Sequence, residues 1–259
     1  MSIDRSTTRR RVLRNAIAFG AAFAVGGCDA GSDSPFVQKI SDTGEALTAT
    51  VQRVLLWDSS LAKEYPEQAI SRDFRANGSI EIDDPAYRRL ASDGFRSWTL
   101  RIDGLVEHPA RYSLSDLRSM PSRTQITRHD CVEGWSCIGK WTGVPLSAVL
   151  ERVRLKPHAK YLVFHCADTL GESLDAGLYY ESIDLTDAYH PQTILAYDMN
   201  GAPLNEPYGA PVRLRLERQL GYKMAKFIMH IEAVESFAGI YGGQGGYWED
   251  RGYQWYAGI

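Results

Sequence analysis

Cysteine is scarce in this sequence. Cys28, Cys131, Cys137 and Cys166 are the only four in 259 residues, and no two stand in a Cys-x-x-Cys pair. That excludes a disulfide-built scaffold, a zinc ribbon and a covalently attached haem of the Cys-x-x-Cys-His kind. A Gly-rich nucleotide loop is absent, and so is any internal repeat. Positive charge is not in excess: 29 Lys and Arg face 32 Asp and Glu, for a net charge of −3. That balance argues against nucleic acid as a partner. Long apolar runs are missing too. The run from Ala16 to Val25 falls short of the roughly 20 residues of a bilayer span.

What is present starts at the N-terminus. A charged segment, that mild apolar run and Val25-Gly26-Gly27-Cys28 follow one another in the layout of an export signal. Thr8-Arg9-Arg10-Arg11-Val12-Leu13-Arg14 resembles the twin-arginine motif, a route for proteins already folded in the cytoplasm, often around a cofactor. Val25–Cys28 resembles a lipobox, which makes Cys28 a candidate lipid anchor at the inner membrane. The alternative is a cysteine lying by chance in a cleavage region. A periplasmic location is expected. Three cysteines then remain, an odd number in an oxidising compartment, so at least one stays out of an internal disulfide. A Cys137–Cys166 pairing stays open. Residues 1–28 read as the leader, 29–68 as a tether and lead-in, and 69–259 as one folded domain large enough for an enclosed pocket.

Within the domain, "WTLRIDGLV" (98–106) alternates Trp98, Leu100 and Ile102 on one face and turns at Asp103-Gly104, so it reads as a strand. "YSLSDLRSMP" predicts a short helix, with Ser113 as N-cap and Pro121 past its end. "PLSAVLERV" (145–153) has apolar residues at helical spacing. "KYLVFHCAD" (160–168), "PVRLRLE" and "KFIMHIEAVES" read as strands, and Asn200-Gly201 marks a tight turn. Strands outnumber helices and the helices interrupt them irregularly, which is an α+β pattern. The tail "YGGQGGYWEDRGYQWYAGI" is dense in glycine and aromatics. It reads either as a clasp packed on the body or as a pocket wall.

The segment "HDCVEGWSCIGKWTGVPL" (129–146) places Cys131 in a loop between acidic neighbours and large aromatics, where function tends to reside. As a nucleophile, Cys131 would want a histidine base and an orienting group. His129 and His165 exist, without a protease or transferase signature around them. As a zinc ligand it lacks the required spacing. As a thiolate ligand to a redox metal carried by an organic cofactor, one cysteine is enough, because the cofactor supplies the other soft sulfur ligands.

Six segments in order carry a family resemblance: "DFRANG", "WTLRIDGLVEHPARYSLSDLRSMP", "TRHDCVEGWSCIGKWTGVPLSAVL", "YYESIDLTDAYHPQTILAYDMNGAPL", "YGAPVRLRLE" and "GYKMAKFIMHIE". Residues 70–256 are similar to the oxidoreductase molybdopterin-binding domain of the sulfite oxidase superfamily. Cys-Val-Glu-x-Trp-Ser is closest in character to its exported bacterial branch, which includes periplasmic methionine-sulfoxide reductases. The resemblance implies mixed sheets with irregular helices around a buried Mo-molybdopterin. It implies Cys131 as the metal ligand, with Tyr179 near the reacting oxygen and Glu133 and Trp135 along the approach. Arg213 matches a cofactor-binding arginine, and Met224, Ala225 and Lys226 match the segment that holds the pterin phosphate. Phe74, Arg75, Ala76 and Asn77 match a loop that wraps the pterin. Cys166 falls at a polar cofactor contact, with Asp168 close by, and Tyr208 sits where relatives carry histidine or asparagine. From the residues alone, Arg213 and Lys226 could face solvent from strands, and Cys166 could be strand core.

The resemblance further implies two-electron oxo transfer at molybdenum on a small-molecule substrate, an S- or N-oxide, with electrons from a membrane haem protein or cytochrome. Sulfite oxidation is the alternative, as is an electron-transfer subunit without turnover. There are departures. The "FRANG" loop lacks the usual Arg-Asn-His run. The dimerisation domain of animal and plant sulfite oxidases, which also supplies a substrate arginine, is not expected here, so the reading is a monomer.

Overall fold

The structure is a computed structural model and describes residues 60–170 and 177–259. The export motif, Cys28 and the tether up to residue 59 lie outside the described residues. The described residues fall in the unit Ala49–Ile259. They form two five-stranded sheets. The first takes β1 (Thr99–Gly104), β2 (Ala110–Ser113), β5 (Tyr161–Thr169), β6 (Leu178–Asp184) and β10 (Ile228–Val234) in the order β2-β1-β10-β5-β6. Only the β1–β10 pair is parallel. The second takes β3 (Arg123–Asp130), β4 (Ser136–Pro145), β7 (Ile194–Met199) and β8 (Ala202–Pro203) in sequence order, with β9 (Arg213–Arg215) also paired to β7. Four short helices among the described residues complete it: α1 (Pro85–Ser92), α2 (Leu114–Ser119), α3 (Leu146–Val153) and α4 (Leu185–Ala188). This is the α+β class the sequence predicts.

Local chemistry accounts for most elements. Ser113 and Asp116 form a reciprocal capping box that starts α2. Leu146, Val149, Leu150 and Val153 are the buried stripe of α3. Leu100 and Ile102 point from β1 into the core, each worth roughly 1.5–3 kcal/mol when fully buried. Asn200 and Gly201 both take positive φ, 52° and 86°, and so close the β7–β8 turn. At Gly143 a Cβ would lie 2.2 Å from the Leu195 carbonyl. Glycine there lets β4 lie against β7 where their register shifts. Residues ahead of 69 are also tied in: Tyr65 N donates to Ile126 O at 2.8 Å, and Glu64 bridges Thr127. The tail returns as a clasp, with Leu220 N donating to Ala257 O at 2.9 Å.

Candidate active site

The β3–β4 hairpin makes its last pair at Asp130 and Ser136, which leaves residues 131–135 as its turn. Cys131 N donates to Trp135 O at 2.9 Å, and Gly134 N to Cys131 O at 3.0 Å. Gly134 has φ +87°, which glycine adopts without strain. This turn sets Cys131, 8% exposed, in the wall of a cleft that is open on one side. Burial pushes the thiol up. The Glu133 carboxylate adds to that rise, while the backbone N–H groups of Glu133 and Val132, and nearby Arg75, pull the other way. A thiolate formed here would therefore find donors already in place.

Separate parts of the chain complete the wall. Asn77 comes from the first loop, Asp168 from β5, Tyr179 from β6 and Met224 with Lys226 from the approach to β10. Lys226 Nζ donates to the carbonyls of Asn77 (2.6 Å), Ser79 (2.5 Å) and Pro207 (2.8 Å). It thus staples the first loop to the 206–208 turn. Burial and then Arg213 pull its pKa down to about 7, while Asp168 acts in the opposite sense. Asp168 is raised to about 6 by burial, and its Oδ1 has no partner. Tyr179 donates its hydroxyl to the Tyr222 carbonyl. Burial and nearby acids raise it well above its ordinary value, so it stays a proton-bearing donor. Glu133 lies at the rim, 3.4 Å from Arg75, and accepts from Trp135 Nε1 at 2.9 Å.

The other candidates stand behind or beside the wall. Phe74 packs edge-on against Trp141 at 5.4 Å and Tyr208 at 5.8 Å, and its carbonyl accepts the Tyr208 hydroxyl at 2.7 Å. Arg75 is exposed, 5.1 Å over the Trp135 ring, and Ala76 is half-buried beside it. Ala225 has no exposed surface, and its carbonyl accepts from Leu214 N at 2.8 Å. Cys166 sits in β5 opposite Ile228, in the hydrophobic core and away from the cleft lining. Cys131, Cys137 and Cys166 are all free thiols. Arg213 is 1% exposed. Its Nη1 donates to Tyr208 O at 3.1 Å, and Gly209 packs so closely that a Cβ there would lie 2.9 Å from Lys226 Cβ and 3.3 Å from Arg213 Cβ.

Sequence reasoning missed several groups. His129 Nδ1 accepts from Arg215 Nη1 at 3.1 Å, which leaves the proton on Nε2, buried and without a partner. Tyr222, Trp248 and Tyr253 line the cleft, so the tail is clasp and wall at once. Lys223 is buried between Glu181 and Glu249. Its partners lie 42 and 26 residues away, a separation that leaves no local signal.

Two donors of the buried Arg213 guanidinium, Nε and Nη2, also have no partner. Burial and then Arg215 work against its charge. A buried cation with two unused N–H groups calls for an anion. The neighbouring cleft offers a donor-supported thiol. These residues fit a phosphate-bearing organic group whose metal accepts one protein sulfur. The chain belongs to the oxidoreductase molybdopterin binding domain family, whose model matches residues 88–239. It is thus a molybdenum-dependent oxidoreductase that binds Mo-molybdopterin.

Among relatives, it is 37% identical over 250 residues to the "Putative protein-methionine-sulfoxide reductase subunit YedZ1" of Azospira oryzae, covering 96% of this chain and 87% of that one. It is 38% identical over 148 residues to the protein-methionine-sulfoxide reductase catalytic subunit MsrP of Xanthomonas axonopodis pv. citri, over 53% of this chain and 45% of that protein. The MsrP of Pseudomonas syringae pv. tomato is 36% identical over 160 residues, 58% of this chain and 47% of its own. The match thus takes in less than half the length of each MsrP protein. The sulfane dehydrogenase SoxCD of Paracoccus pantotrophus overlays 54% of this chain and 39% of its own, with 23% identity and a TM-score of 0.48.

Proposed function

We propose that Cys131 is the protein's sulfur ligand to molybdenum and that the enzyme reduces an uncharged S-oxide. The buried Cys131 thiol, facing the cleft with backbone donors at hand, carries the first part. Arg213, through its unpartnered Nε and Nη2, and the backbone of Met224 and Ala225 would hold the anionic end of the pterin, with Lys226 acting through its charge and through the carbonyls of the loops it ties together. Phe74–Asn77, Asp168 and Tyr208 would close around it. When bound, the cofactor supplies two-electron oxo transfer. In sum, an S-oxide, two electrons and two protons give a thioether and water. Tyr179 lines the cleft, and its hydroxyl would donate to the substrate oxygen by exchanging its present bond to the Tyr222 carbonyl.

Substrate choice rests on charge. Lys226 is the single cation among the described residues lining the cleft, and its amino group already serves three carbonyls. Glu133 and Asp168 add acidic groups to the same lining. Arg75 stands at the rim but is paired with Glu133, so an inorganic oxyanion such as sulfite would find little to bind there, and the relatives at 37% and 38% identity are named as protein-methionine-sulfoxide reductase subunits. Electrons would come from a membrane haem protein or cytochrome. The leader would send the folded protein through the twin-arginine route to the periplasm, with Cys28 as lipid anchor. No helix among the described residues is long and apolar enough to cross a membrane. The test is turnover of the loaded protein with a reduced dye against methionine sulfoxide, an amine N-oxide and sulfite. Reduction of the sulfoxide is expected. Sulfite oxidation with no sulfoxide reduction overturns the reading.

A further inference from the structure

The open side of the cleft is aromatic, and two of its rings, Trp248 and Tyr253, come from outside the family match at residues 88–239. Trp248 and Tyr253 stack at 5.1 Å with 28° between planes, and Tyr222 meets Tyr253 edge-on at 5.2 Å. All three line the cleft that holds Cys131. Tyr253 is 38% exposed and Val132, on the same lining, 45%, so this side of the cleft is open to solvent. The arrangement is built. A turn over Glu249–Arg251 ends at Gly252 with φ 95°, and Tyr253 N donates to Trp248 O at 3.0 Å, which brings the two rings together. Glu249 in that turn bonds the buried Lys223 at 2.6 Å. Lys223 directly follows Tyr222, so one ion pair fixes both halves of the ring set.

We infer that Trp248 and Tyr253, seated on Tyr222, form the substrate-side subsite and select an S-oxide carried on an apolar stem, such as a methionine-sulfoxide side chain in an extended peptide. This rests on the S-oxide reading above. Aromatic faces and edges favour polarizable sulfur and aliphatic groups and offer nothing to an inorganic anion. The open rim leaves room for the main chain that bears the side chain. Lys223 and Glu249 are positioning residues for the collar.

The test uses the molybdenum-loaded protein and three ligands: a peptide with one methionine sulfoxide, dimethyl sulfoxide, and the same peptide with the non-reducible methionine sulfone. For Trp248→Ala and Tyr253→Ala, KM for the peptide should rise roughly 10- to 100-fold, the scale of losing one well-buried apolar contact. The kcat should hold, and dimethyl sulfoxide kinetics should change far less. Calorimetric binding of the sulfone peptide should weaken by the same factor, and Trp248→Phe should restore most of it. Peptide KM and sulfone binding unchanged in both alanine variants, with wild type active on sulfoxides, would overturn the subsite alone. A wild-type protein that reduces no sulfoxide overturns the subsite and the S-oxide reading together.

Discussion

Replacing Lys223 by methionine tests how the wall of the cleft is held. Lys223 Nζ lies 2.5 Å from Glu181 Oε1 and 2.6 Å from Glu249 Oε1, and all three side chains are 1% exposed or less. One ammonium cannot neutralise two buried carboxylates. Burial and the charge of Glu249 therefore drive Glu181 well above its usual value. The two acids hold Lys223 charged, above its own usual value, against the effect of burial. The triad thus favours the protonated form of Glu181. Lys223→Met would remove the cation alone, and breaking a buried ion pair from one side costs ~3–5 kcal/mol, a large share of a typical ~5–15 kcal/mol. The pH dependence has a definite sign. A carboxyl with a raised folded pKa favours folding fully below its unfolded value, 4.5 here, and that support is lost as pH rises through the folded value. Without Lys223 the folded value climbs further, so the loss should be larger at about pH 8 than at about pH 5. Urea melts of both proteins at the two pH values measure it. Lys223→Met with Glu181→Leu and Glu249→Leu should regain most of the loss, since an apolar replacement of a whole buried network is often neutral. A single-variant loss below ~1 kcal/mol, equal at both pH values, refutes the charge argument.

Asp168 should show the same sign on its own. Its pKa of about 6 against 3.8, at about 1.4 kcal/mol per pH unit, amounts to about 3 kcal/mol. That support is present below about 3.8 and lost as pH rises through about 6, so Asp168→Asn in cofactor-free protein should be the more stable form at neutral pH and level with wild type in acid. Thermal melts across that range decide it. Lys226→Ala should speed cofactor loss, because it removes a buried cation and the tie between the first loop and the 206–208 turn, with roughly 1.5–3 kcal/mol as the scale of a hydrogen bond from a charged group, read as pterin retained after mild denaturant; equal retention removes Lys226 from the site. Arg9→Lys with Arg10→Lys should leave the precursor in the cytoplasm, because an ammonium does not reproduce the paired guanidinium groups; equal export in cell fractionation rules out the twin-arginine route.

The legible parts of the fold are those written locally. The capping box of α2, the stripe of α3, the alternation of β1 and the Asn200-Gly201 turn each depend on neighbours within a few residues. The parallel seating of β10 beside β1 depends on pairs such as Arg101 with His230, which no local pattern encodes. At the site, Cys131 announced itself by its neighbours and Arg213 by family likeness. Alternation in "PVRLRLE" could not say that both arginines point inward, because every residue of β9 is buried. The tail drew notice for its aromatics as a group. That Trp248 and Tyr253 reach the cleft while Trp255 packs on Phe237 follows from the turn at Gly252 and from Lys223, neither readable from composition.

The central claim is that Cys131 supplies the protein's sulfur to molybdenum. X-ray absorption at the molybdenum edge, on purified wild type, Cys131→Ser and Cys137→Ser with molybdenum and pterin quantified, tests it most directly. The Cys131→Ser protein should keep most of its pterin, because Arg213 and the first loop would hold the organic part independently. It should show one sulfur ligand fewer and lose turnover, since a serine oxygen is a harder and weaker donor. Cys137→Ser should match wild type in all three. An unchanged sulfur count and unchanged turnover in Cys131→Ser would contradict the assignment and the active site built on it.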